Sequence, residues 1–108
     1  MQNVFQEIPY ADGQMGRRQL VNEKDLLVMQ VALKPGQQVP EHNANSNVHL
    51  LVIEGEVAVT LAGKEEILAT KGTLLPIAYQ TPMSICNKAK ENASFLVFKS
   101  PNPSEMER

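Results

Sequence analysis

Hydrophobic residues in this chain come in short runs separated by turn-forming residues. The runs are Val4 to Ile8, Met15 to Val21, Leu26 to Leu33, Val48 to Ile53, Val57 to Leu61, Ile67 to Thr70, Thr73 to Ile77, Met83 to Cys86 and Ala93 to Lys99. Between them stand Asp12-Gly13, Asn22 to Asp25, Pro35-Gly36, Asn43 to Asn47, Glu54-Gly55, Ala62-Gly63-Lys64, Lys71-Gly72 and Lys88 to Asn92. Glycine permits left-handed backbone, and Asn and Asp bond their own main chain, so such clusters end strands. A strand plus its turn recurs about every ten residues, the interval of a sandwich or barrel. A helix would need an i, i+3, i+4 apolar stripe over about a dozen residues. No segment has one. The tail, Ser104 to Arg108, is too short, and Pro101 and Pro103 ahead of it predict a loop or frayed end.

Two runs break the alternation of a half-solvated strand. Leu26-Leu27-Val28-Met29 and Leu50-Leu51-Val52-Ile53 are apolar on both faces. Something must cover the second face. In so short a chain a second copy is the obvious cover, which predicts a homodimer; the alternative is two central strands within one monomer.

Length and composition narrow the picture. The chain has 108 residues, of which 43% are hydrophobic and 20% charged, the make-up of one globular domain. That domain is expected over residues 1–100, with 101–108 a C-terminal tail. Lys and Arg total 10 against 12 Asp and Glu, for a net charge of -2, which recommends neither nucleic acid nor an anionic membrane as partner. The lone Cys86 has no internal disulfide partner. Met1 to Ile8 lacks the basic and apolar regions of a secretory signal, and no run approaches the roughly 20 apolar residues that span a bilayer. A cytoplasmic protein is expected. No Gly-x-Ser-x-Gly, paired-carboxylate or phosphate-cradling signature is present, so no catalytic residue is assigned.

The stretch from Leu33 to Asn87 resembles the cupin family. The resemblance is carried by Leu33-Lys-Pro-Gly36, Val39-Pro-Glu-His42, Val48 through Val57 with Glu54-Gly55-Glu56, Lys71-Gly72-Thr-Leu-Leu-Pro76, Thr81-Pro82 and Asn87. Gly36, His42 and Gly55 fall in register with the family's first motif; Gly72, Pro76 and Asn87 lie near its second. The resemblance implies an all-β fold, a double-stranded β-helix or jelly-roll barrel.

It also implies a divalent metal held by three His and one Glu, and here this chain departs. The second His position is Ala44, the Glu position is Val48, and the last His position is Met83; His42 alone remains. A methyl, an isopropyl and a thioether do not make a zinc, iron or manganese site. No metal and no cofactor is therefore expected. The resulting expectation is a non-enzymatic cupin that binds or senses a small molecule in an apolar cavity lined by Val48, Leu50, Val52 and Met83, with His42 as polar anchor. The alternative is a metal-dependent cupin enzyme, of small oxygenase or isomerase type. It requires a bulge that turns His49 inward to join His42, with a carboxylate or water completing the shell; His42 and His49 with Met83 would instead make a soft set suited to Cu(I).

The remaining polar residues have plainer readings. Asn43 to Asn47 form a pocket rim or a turn, Tyr79 a lid or a surface aromatic. Arg17-Arg18 meet an anion or are solvated edge charges. Cys86 is expected to be a packed core hydrophobe.

Overall fold

In the computed structural model, which describes residues 1–106, the expected runs become strands with few changes of boundary. They are β1 Gly16–Glu23, β2 Leu26–Leu33, β3 Gln38–Asn43, β4 Val48–Glu54, β5 Glu56–Leu61, β6 Ile67–Thr70, β7 Leu74–Ile77, β8 Pro82–Cys86 and β9 Ala93–Lys99. One sheet has the order β1-β2-β9-β4-β7 and the other β3-β8-β5-β6. Every pairing is antiparallel. Neighbours such as β2 and β9, or β3 and β8, are distant in sequence, so the chain crosses repeatedly between the sheets. That is the double-stranded β-helix.

The core lies between the sheets. Leu33, Leu50, Val52, Val57, Val59 and Phe95 are all at most 1% exposed. Their spacing of two residues along each strand keeps them on one face.

Two expectations need correction. Val4 to Ile8 is not a strand. Asn3 starts a turn there: its Oδ1 accepts from the Phe5 N–H at 2.8 Å and its carbonyl from the Gln6 N–H at 3.1 Å. Glu7 then takes φ 49°, which ends any extension. Conversely, β3 is a strand that the hydrophobic runs do not contain. It is an edge strand exposed along most of its length, so no buried face marks it.

The turned N-terminal segment has its own use. It crosses the outer face of the five-stranded sheet, where Gln30 is fully buried. Gln30 Nε2 donates to the Val4 carbonyl at 2.8 Å and to Ser94 Oγ at 3.1 Å, and its Oε1 accepts from Arg18 Nε at 2.8 Å. Arg18 also donates to the Glu7 and Asn3 carbonyls. A Cβ on Gly16 would fall 1.5 Å from the Pro9 carbonyl oxygen, so this crossing requires glycine. Part of the apolar outer face of β2 is thus covered within the monomer. On β4 and β7 the cover is incomplete: Leu51 is half-buried and Leu74 exposed.

The start of the expected tail is anchored rather than frayed. Asn102 Nδ2 donates to Asn22 Oδ1 at 2.7 Å and to the Glu23 carbonyl at 3.0 Å, and its Oδ1 accepts from the Ser104 N–H at 3.2 Å. A single 3-10 turn, Pro103–Glu105, follows. Glu107 and Arg108, the end of that tail, lie outside the described residues.

Candidate functional site

A cavity of about 120 Å³ opens between the two sheets. Its floor is apolar: Leu50 and Phe95 from one sheet and Met83 and Ile85 from the other are buried. Its open side carries Arg17, His42 and Asn45, all exposed. The volume is comparable to the ~150 Å³ apolar cavities that admit benzene.

The positions where the family pattern puts metal ligands do converge here. His42, Ala44, Val48 and Met83 all line the cavity, and His42 and Met83 are cross-strand partners on β3 and β8. Only His42 offers nitrogen. Its Nδ1 lies 2.9 Å from the Pro40 carbonyl. A carbonyl only accepts, so Nδ1 carries the proton and Nε2 is left for a ligand. Among the described residues no three His, Cys, Asp or Glu side chains cluster as a metal would need. The residues present do not fit the family's four-ligand set.

The arrangement in which His49 joins His42 does not form. β4 pairs without irregularity with β9 from Val48 to Val52, and its only register shift lies between Val52 and Glu54. His49 therefore keeps the alternation, faces away from Val48 and Leu50, and is exposed. Val52 shares the inward face but sits in the packed core, not on the cavity wall.

Several lining residues escape the sequence reading. Met15 and Met29 face the cavity together with Met83, and Val97 completes one wall. More consequential are Arg17 and Lys99. Arg17 pairs with inward-facing Val31, and Lys99 pairs with inward-facing Val48. The alternation Phe95, Val97, Lys99 holds the signal for Lys99. Burial holds the Lys99 ammonium below the ordinary lysine range, and the Arg17 charge adds to the effect.

Other candidates lie elsewhere. Tyr79 is exposed and does not line the cavity; its N–H donates to Asn47 Oδ1 at 3.3 Å, which ties the β7–β8 loop to the β3–β4 loop. Cys86 is only half-buried, which corrects the packed-core expectation. It alternates with cavity-lining Ile85 and so faces the other side of its sheet.

Fold and cavity together define a double-stranded β-helix with a hollow between its sheets. No family model matches the sequence. The chain is 32% identical over 87 residues to the uncharacterised protein MJ0764 of Methanocaldococcus jannaschii, covering 81% of this chain and 75% of that one. The crystal structure of MJ0764, described as an RmlC-like cupin family protein with a double-stranded β-helix fold, superimposes with a TM-score of 0.82 over 87% of this chain and 86% of that one, at 30% identity. TT1209 from Thermus thermophilus gives 0.84 at 24% identity, over 94% of this chain and 96% of that one. The chain belongs to the cupin family. Among the described residues no helix is long and apolar enough to cross a membrane.

Proposed function

We propose that this cupin is a non-enzymatic, cytoplasmic protein that binds a small molecule in its barrel cavity without the metal usual to the family. The observation that carries the reading is the replacement of metal ligands on the wall itself: Ala44, Val48 and Met83 stand around the hollow where His, Glu and His would stand. Apolar walls with few polar groups are the usual make-up of a ligand site. A methionine wall adapts to irregular shapes.

The methionines also supply the test. Met15, Met29 and Met83 line the cavity; Met1 and Met106 do not. In protein labelled with ¹³C at the methionine methyls, titration with hexan-1-ol should move the first three resonances and leave the other two. Elemental analysis of the tag-free protein should find zinc, iron, manganese, nickel and copper all well below one per chain. Unmoved cavity methyls, or a stoichiometric metal lost in His42→Ala, would sink the reading.

A second copy of the chain is the proposed partner. It would cover Leu51 and Leu74, which the N-terminal segment leaves open on the outer face of the five-stranded sheet.

A further inference from the structure

Two cations, Arg17 and Lys99, line the cavity, and among the described residues no Asp or Glu joins them. Among the described residues neither cation forms an ion pair; the pairs found are Lys34 with Asp12, Lys71 with Glu54 and Lys88 with Glu66, all elsewhere. This occurs in a chain whose net charge is -2, so no general excess of base explains it.

Register shows where the two charges sit. Met29 pairs with Val97, and Val97 with Leu50, forming one inward row across the sheet. Arg17 pairs with Val31 on one side of that row, and Lys99 pairs with Val48 on the other. The two long side chains therefore flank an apolar strip from opposite ends. The Arg17 charge disfavours the Lys99 ammonium, and Lys99 is also half-buried. An arrangement that costs stability in the empty protein is expected where a ligand relieves it. Arg offers a planar fork suited to an oxyanion, and Lys a mobile point charge.

We infer that the ligand is a small organic anion, a carboxylate or phosphate monoester head held between Arg17 and Lys99 with a short apolar body on the Leu50, Phe95 and Met83 floor. The inference rests on the cavity reading above and narrows it to a ligand class. The hollow of about 120 Å³ limits the body to roughly the size of a benzene ring or a short alkyl chain. His42 Nε2, on the open side, is available to the head group.

The test compares four probes of one chain length by the same methionine-methyl titration: hexanoate, hexyl phosphate, hexan-1-ol and hexylamine. At least one anion should bind tenfold or more tightly than the alcohol, and the amine should bind more weakly than the alcohol. Which anion wins identifies the head group. Arg17→Gln and Lys99→Met should each bring the anion's affinity down toward that of the alcohol, while hexan-1-ol binding persists and shows that the barrel is intact. Lys71→Met removes one exposed charge far from the cavity wall and should change nothing. Equal affinity for anion and alcohol, tighter binding of the amine, or anion affinity unchanged in both variants would overturn the inference yet leave the cavity reading standing. No methyl shift with any probe would overturn both.

Discussion

Replacing Asn87 with alanine removes three hydrogen bonds from a side chain that is 1% exposed. Its Nδ2 donates to the Leu33 carbonyl at 3.0 Å and to the Glu91 carbonyl at 2.8 Å, and its Oδ1 accepts from the Ala89 N–H at 3.0 Å. One residue thus ties the end of β2 to the loop between β8 and β9. Each such bond contributes about 1 kcal/mol net, and an orphaned buried carbonyl costs more, so Asn87→Ala should destabilise by about 2–4 kcal/mol. For a domain of this size that lowers Tm by roughly 10–20 °C. Asn87→Asp is the sharper variant. It keeps the acceptor but points a buried carboxylate at two carbonyl oxygens. Burial and those oxygens raise its folded pKa above the unfolded value, so any stability is present at low pH and is lost as pH rises through the folded pKa. Its deficit against the parent should therefore be smaller in acid than at neutral pH. Thermal unfolding followed by far-ultraviolet circular dichroism reads both variants. An Asn87→Ala Tm within about 2 °C of the parent would refute the idea that this family-motif asparagine works as a structural tie.

Three further outcomes follow from the packing. Gly55 has φ 66° and a Cβ there would meet the Asn92 carbonyl oxygen at 2.3 Å, whereas Gly36 has φ 85° with open space around it. Gly55→Ala should therefore cost about 3 kcal/mol or more and Gly36→Ala only about 1–2 kcal/mol, measured by urea denaturation. Half-buried Cys86 should react with a thiol reagent in native buffer by direct access, so the destabilised Asn87→Ala protein should label no faster than the parent; marked acceleration would mean that labelling requires unfolding. Light scattering after size exclusion should give twice the chain mass of 11.9 kDa, and Leu74→Lys should shift it toward the monomer; a parent monomer would refute the second copy as cover, since an obligate interface buries on the order of 2,000 Å².

The strands are legible because burial on one face imposes a period of two, and turn residues mark where it stops. β3 lacks that signal: only Val39 is even half-buried along it. Val4 to Ile8 carries a hydrophobic signal without being a strand: it is a turned segment fixed by Asn3 and Arg18, on which Val4 and Ile8 are half-buried and Phe5 is exposed. The two apolar-faced runs are ambiguous for a related reason. Apolarity reports that a face is covered but not by what, and for β2 part of the cover is the chain's own N-terminal segment, pinned through Gln30.

The cavity wall shows how far the same rule reaches. Alternation from Val48 places Leu50 inward and His49 outward, and the structure keeps that alternation. For Arg17-Arg18 it demands that one side chain face each way without saying which. The choice is made by β2: Arg18 pairs with outward Gln30 and Arg17 with inward Val31. Nothing in the doublet itself contains that partner. Lys99 is readable from Phe95 and Val97, but a lysine on a buried face contradicts the burial rule and so passes for the end of a strand. The rule fails there because the face does not close: a hollow lies beneath it, and Lys99 lines that hollow half-buried. Local pattern reads packing well where the barrel is full, and least well where it is hollow, which is where this chain places Arg17 and Lys99.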